Sequence, residues 1–260
     1  MGQIVSNDGT TIGYVRTGTG PALVLVHGGL GDHTRWALVE KLQDSFTIYA
    51  MDRRGRGLSG DSEQYSLERE VEDVAAVANS VDGPVNLYGV SSGAIYALEA
   101  ALRIPNLHRL VLYEPGIPQG EEIVPSEMVD GLQALIDEGK PEDAFVMTSR
   151  DIVGLTPEAI NRHRTQPSWP ERVASAYTIP REVRTLNDYR FRPERFERFQ
   201  VPTLLLKGTE SPQFLKNSVN LLDTALQNSR INALSGQGHT ADIVAPEMVA
   251  KVMSEFLSRE

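Results

Sequence analysis

The stretch Val85-Asn86-Leu87-Tyr88-Gly89-Val90-Ser91-Ser92-Gly93-Ala94 decides how this chain is read. Its first residues form a short, mostly apolar run, which reads as a strand buried on both faces. Residues 92–102 are small and apolar all round, which suits a buried helix. Between the two lies Gly89-Val90-Ser91-Ser92-Gly93, a sharp turn with a serine at its apex. Glycine on either side accommodates a strained serine backbone whose neighbours would otherwise clash. A bare G-x-S-x-G also occurs as a structural turn, but a strand before it and a helix after it are the context of a nucleophile elbow. The helix N-terminus directs free N–H groups at negative charge developing there. Ser92 stands one position past the apex, so its side chain points away while its backbone N–H is a natural oxyanion donor.

Working outward, the buried-strand signature recurs at Ala22–Val26, 46–51, 110–113 and 203–206, and more weakly at 230–234. Ahead of these, residues 3–5 and 11–16 flank Asn7-Asp8-Gly9, a tight-turn signal for an antiparallel hairpin. Residues 67–81 place Val71, Val74, Ala75, Ala78 and Val81 on one helical stripe, with Glu68, Arg69, Glu70, Glu72 and Asp73 outside it. Residues 215–226 and 246–257 are also amphipathic, and Pro246 suits a first helical position. A hairpin followed by alternating strands and helices predicts an α/β fold, with a mostly parallel sheet covered on both faces.

Residues 117–200 break this alternation. Helical pieces at 127–138, 141–148, 157–164, 171–177 and 181–188 are separated by prolines, with no convincing strand. The expected organisation is a core of 1–116 and 201–260 with a helical insertion at 117–200. Near its end Arg181, Arg184, Arg190, Arg192, Arg195 and Arg198 interleave with Glu182, Asp188, Glu194 and Glu197. That pattern reads as a solvated mixed-charge face.

Composition narrows the function classes. The 260 residues carry 35 acidic and 25 basic side chains, a formal charge of −10, and no cysteine. No basic stripe is available to neutralise phosphates, so neither nucleic acid nor an anionic membrane is an expected partner. Without cysteine there is no disulfide scaffold, thiolate zinc site or cysteine nucleophile. No apolar run approaches the length of a membrane span, and Met1-Gly2-Gln3-Ile4-Val5-Ser6-Asn7-Asp8 lacks a signal peptide's basic-then-apolar plan. A cytoplasmic enzyme acting on a small molecule, as monomer or homodimer, is the expectation.

A serine nucleophile needs a general base. Of His27, His33, His108, His163 and His239, only His239 lies in a flexible loop, Ser235-Gly236-Gln237-Gly238-His239, after the last predicted strand. From there an imidazole reaches Ser91 over the sheet's C-terminal edge, in the chain order serine, acid, histidine. His27-Gly28-Gly29-Leu30 follows the Ala22–Val26 strand and can supply a second oxyanion donor through the Gly29 N–H. His27 itself is read as pinning that loop.

With these pieces the sequence resembles the α/β-hydrolase superfamily over nearly its whole length. The resemblance rests on His27-Gly28-Gly29, Met51-Asp52-Arg53-Arg54-Gly55-Arg56-Gly57-Leu58-Ser59, Gly89-Val90-Ser91-Ser92-Gly93 and Gly236-Gln237-Gly238-His239. It implies an eight-stranded sheet, a helical cap after strand six where 117–200 falls, and Ser–acid–His chemistry. The Asp52–Ser59 segment is then a structural loop beside the site, and Gly55-Arg56-Gly57 no phosphate loop, since no Gly-Lys-Ser/Thr follows. Many members carry an aspartate three residues past the glycine that ends strand seven; here Gly208-Thr209-Glu210-Ser211 puts Ser211 there. Two acids remain: Glu114, ending strand six as in certain haloalkane dehalogenases, and Glu210. Glu114 is the first choice, because it ends a strand at the catalytic edge.

The expectation is therefore a serine hydrolase cleaving small carboxylic esters, with lactones as neighbouring substrates, Ser91, His239 and Glu114 catalytic, Gly29 and Ser92 as oxyanion donors, and no metal or organic cofactor. Leu30, Met128, Phe145, Met147, Trp169 and Tyr177 are candidate pocket walls, each with core packing as its plainer role. Carbon–carbon hydrolysis or lyase chemistry on the same triad, and a non-catalytic receptor on this fold, are the alternatives.

Overall fold

A computed structural model describes residues 1–258. Eight strands form one sheet: β1 (Gly2–Val5), β2 (Thr11–Thr17), β3 (Ala22–Val26), β4 (Thr47–Met51), β5 (Val85–Val90), β6 (Leu107–Tyr113), β7 (Thr203–Gly208) and β8 (Ser229–Leu234), in the order β1-β2-β4-β3-β5-β6-β7-β8. β1 and β2 pair antiparallel, as do β2 and β4; every later neighbour is parallel. This is the α/β-hydrolase fold that the motifs implied. The reason lies in the strands themselves: all five residues of β3 and all six of β5 are buried, so both faces need cover.

The helices provide it. They are α1 (Val39–Leu42), α2 (Leu67–Asn79), α3 (Ser92–Ala101), α4 (Ser126–Asp137), α5 (Pro141–Met147), α6 (Pro157–Arg164), α7 (Trp169–Ala174), α8 (Ile179–Asp188), α9 (Gln213–Ala225), α10 (Ala241–Val244) and α11 (Pro246–Leu257). Alternate strand residues face opposite ways. Val24, Val26, Leu87, Leu110 and Leu112 pack with α2, α3 and α9. Leu23, Leu25, Tyr88, Val90, Val111 and Tyr113 pack with α1 and α11 on the other face.

Between β6 and β7 the chain is helical, from α4 to α8, with a small core of its own around Leu132, Phe145, Ile160, Trp169 and Ile179. Helix α7 stops at Ala174 rather than continuing to 177; a 3₁₀ turn, Ser175–Thr178, leads directly into α8. Pro170 and Pro180 each sit in the first turn of the helix they occupy, where a missing N–H costs nothing. Among the described residues no helix is long and apolar enough to cross a membrane.

Charge placement departs from expectation. Glu70 and Asp73, expected on the solvent side of α2, are fully buried, and so are Arg53 and Arg54. Arg53 pairs with Glu70 at 2.6 Å and Arg54 with Asp73 at 2.7 Å. The supposed solvated face at 181–198 also has an inward member: Glu182 on α8 is buried and meets Arg53 at 3.0 Å and Arg56 at 2.7 Å. The other acidic residues of that run, Asp188, Glu194 and Glu197, are exposed. Burying these charges is tolerable only because each is paired, and the two pairs made by Glu182 bind the helical insertion to the sheet domain.

Candidate active site

Ser91 follows β5 and precedes α3 with φ 57° and ψ −127°, a left-handed backbone that costs a non-glycine residue roughly 1–3 kcal/mol. Its N–H donates to the Tyr113 carbonyl at 2.9 Å, which anchors the turn to β6. Gly93 is required by crowding: a Cβ there would stand 2.4 Å from the carbonyl oxygens of both Val26 and His27. Helix α3 therefore starts hard against the end of β3. The Ser92 and Gly93 amides that open it have no acceptor within the helix, whereas the Ala94 N–H already donates to the Ser91 carbonyl at 3.0 Å.

The glycine loop after β3 lies against the serine. A Cβ on Gly28 would be 2.9 Å from Ser91 Cβ. The Gly28 carbonyl accepts from His27 Nδ1–H at 2.8 Å and from the Gly31 N–H at 3.2 Å. Across the trans Gly28–Gly29 peptide, this turns the Gly29 N–H to the opposite side. His27 is fully buried, and its Nε2 accepts the Arg53 N–H at 3.1 Å. With both ring nitrogens committed to the backbone, His27 holds the loop's shape. Burial, reinforced by Arg53 and Arg56, keeps its pKa well below the usual imidazole value, so it stays neutral.

His239 lies between β8 and α10, with Nδ1 2.7 Å from Glu114 Oε2. Glu114 follows β6 with φ 45° and is fully buried; its Oε1 accepts the Gly208 N–H at 2.6 Å. A carboxylate at Nδ1 holds the ring proton there and leaves the Nε2 lone pair free to accept. Glu210 is exposed, and its Oε1 takes the Thr209 hydroxyl at 3.2 Å. Ser211 is buried. Among the described residues, Ser91 and Glu114 are the only two non-glycines with positive φ. Strain of this kind concentrates where a fold holds chemistry in place.

Tyr113 joins these parts and escaped the sequence reading. Its ring lies 6.0 Å from the His239 ring, its hydroxyl donates to the Gly238 carbonyl, and the Ala241 N–H donates back to it at 3.3 Å. Its backbone carbonyl meanwhile accepts from Ser91. The only sequence signal was its place immediately before Glu114.

The candidate wall residues divide. Leu30, in the glycine loop, and Met147 pack against the core of the helical insertion, which brings that insertion over the loop. Phe145 and Trp169 lie within that core as an edge-on pair 5.1 Å apart. Met128 is half-buried on α4. Tyr177 differs from these: it is 43% exposed, its hydroxyl donates to Asp61 at 2.9 Å, and its ring faces Arg181, on an outer seam.

Comparison with known proteins agrees with this architecture. A sequence model described as the alpha/beta hydrolase family matches residues 23–252. The solved structure of an alpha/beta hydrolase from Sphaerobacter thermophilus superposes with a TM-score of 0.85 at 35% identity, covering 99% of this chain and 100% of that one. An uncharacterized hydrolase, YraK, from Bacillus subtilis is 33% identical over 128 residues, 46% of this chain and 47% of that protein. N-formylmaleamate deformylase from Pseudomonas putida is 37% identical over 134 residues, 49% of this chain and 50% of that protein. The matches thus span about half the length of these curated relatives.

Proposed function

The chain belongs to the alpha/beta hydrolase family, and on that premise we propose that it is a serine hydrolase of small carboxylic acid derivatives, with esters as its first substrates and lactones as close neighbours. One observation carries the reading: the His239 imidazole meets the buried Glu114 carboxylate at 2.7 Å, in a site whose other strained residue is Ser91. A receptor for small ligands has no need of that pairing.

In the proposed reaction the Glu114 carboxylate keeps the proton on His239 Nδ1. Nε2 takes the Ser91 hydroxyl proton as Oγ attacks the substrate carbonyl. The tetrahedral oxyanion accepts the Gly29 and Ser92 N–H groups, which are held in position before charge develops. The imidazolium then protonates the departing alkoxide, leaving an acyl group on Ser91. Water attacks that ester with His239 again as base, and the acid departs. Serine at the elbow disfavours dehalogenation and epoxide opening, which in this family use an aspartate there. The helices from α4 to α8 act as a cap that sets acyl selectivity.

A second reading is amide hydrolysis on the same groups. The similarity to a protein named for deformylating N-formylmaleamate favours it. A panel of p-nitrophenyl esters graded by acyl length, run beside N-formyl amides with Ser91→Ala as control, separates the two. Ester turnover by the parent and none by Ser91→Ala supports the proposal. Consumption of formyl amides alone moves it to the second reading.

A further inference from the structure

We propose that the ion pair between Arg35 and Asp242 is a positioning device that sets the His239 base against the glycine loop that carries Gly29; the inference rests on the hydrolase reading above. Two loops must keep register for that chemistry, one bearing Gly29 and the other bearing His239. They lie far apart in sequence, and neither is regular secondary structure at the residue that matters.

Arg35 closes the 3₁₀ turn His33–Arg35 that follows the glycine loop, and Asp32 caps that turn by accepting the Thr34 N–H at 2.7 Å. Its stem fills the space beside Gly31: a Cβ on Gly31 would be 2.6 Å from Arg35 Cδ. Its guanidinium packs over the Trp36 ring at 4.7 Å and reaches Asp242, with Nη1 2.8 Å from Oδ2. The Asp242 side chain is fully buried and that of Arg35 nearly so, at 11% exposure.

Asp242 lies in α10, three residues after His239. The intervening backbone is short and held at both ends, since the Tyr113 hydroxyl engages Gly238 and Ala241. Tyr113 ties the His239 loop to β6, but it says nothing to the Gly29 loop. The Arg35–Asp242 contact makes that second link. With the carboxylate shut away from water, neither charge is released without a large penalty, so the link is stiff. Displacements of about 1 Å at such sites are enough to cost activity. Arg35 and Asp242 touch no reacting atom; they act through the loops.

The test uses Arg35→Gln, Arg35→Lys, Asp242→Asn and the double variant Arg35→Gln/Asp242→Asn, each checked for folding by circular dichroism and melting temperature. Two readouts are taken: kcat and KM on p-nitrophenyl acetate, and the rate at which a fluorophosphonate probe labels Ser91. We expect Arg35→Gln and Asp242→Asn each to lower kcat and labelling about 10- to 100-fold with KM changed less than about threefold. Arg35→Lys, which keeps the charge, recovers most of the loss. The double variant falls no further than the worse single one, because both changes break one contact.

Unchanged kcat and labelling with a lowered melting temperature would make the pair a brace of the fold and overturn the inference, as would losses that multiply in the double variant. Should Arg35→Gln not fold, the near-isosteric Asp242→Asn decides by the same criteria. A parent that labels but turns over no ester overturns the ester reading alone, with labelling still deciding the clamp. A parent that does not label overturns both.

Discussion

Glu114 gives one carboxylate oxygen to His239 Nδ1 at 2.7 Å and the other to the Gly208 N–H at 2.6 Å. Both oxygens are therefore committed, and the carboxylate cannot rotate without breaking the tie to β7. Because β6 and β7 pair with Tyr113 opposite Leu206, the Gly208 amide arrives beside Glu114 as a matter of strand register.

Exchanging Glu114 for glutamine tests this arrangement. The amide is nearly isosteric, yet it offers the imidazole an N–H as readily as an oxygen, and the Nε2 lone pair is no longer assured. We expect Glu114→Gln to lower kcat on a p-nitrophenyl ester by about 10³-fold or more with the fold retained. Glu210→Gln, on an exposed side chain bonded to Thr209, should stay within about twofold of the parent. Steady-state kinetics on the two purified variants reads the difference; a larger loss in Glu210→Gln would transfer the role to that residue.

Local patterns in this chain were legible, whereas of the distant pairings only Glu114 with His239 was anticipated, and that as the first of two choices. The turn at Ser91 declares itself because its glycines, its serine and the elements on either side are contiguous. Glu114 and His239 are 125 residues apart, and which of two acids faces the imidazole depends on register between strands. The charged core was hidden for the same reason. Arg53, Arg54 and Arg56 look like loop residues until their partners Glu70, Asp73 and Glu182 arrive from 17, 19 and 126 positions away. An isolated charge in a sequence is reasonably assigned to the surface, and only the folded pairing reverses that assignment.

His27 makes stability depend on acid. Unfolded, its imidazole takes a proton near the ordinary value of 6.5; folded, burial beside Arg53 and Arg56 holds it neutral well below that. Below pH 6.5 the unfolded chain binds the extra proton, so His27's contribution is complete above that pH and is lost as pH falls. One such proton steepens the loss by up to about 1.4 kcal/mol per pH unit. Urea unfolding between pH 7 and 5 should therefore show a shallower slope in His27→Gln than in the parent, whatever the variant's absolute stability.

The wall residues predict unequal effects on selectivity. Trp169 is buried against Phe145 in the insertion, whereas Tyr177 faces outward onto Asp61. Trp169→Ala should alter the ranking of acyl lengths in an ester panel, with KM moving by about tenfold for at least one chain length. Tyr177→Ala should leave the ranking unchanged. Equal disturbance by both would mean that the outer seam also borders the bound acyl chain.

The buried ion pairs that join α8 to the sheet domain predict a large stability effect far from the serine. Removing the Glu182 carboxylate leaves Arg53 and Arg56 with one fewer counter-charge in a setting closed to water. Breaking one partner of such a pair costs on the order of 3–5 kcal/mol, because the remaining charge stays buried and uncompensated. Glu182→Gln should approach the lower end, since the amide still accepts one hydrogen bond; Glu182→Leu should approach the upper. Arg184→Ala makes the control, for its contact with Asp130 lies in solvent and is worth less than about 1 kcal/mol. Denaturant titration of the three variants orders them. If Glu182→Leu lost no more than Arg184→Ala, the pairs across this seam would be dispensable for holding the insertion on the sheet domain.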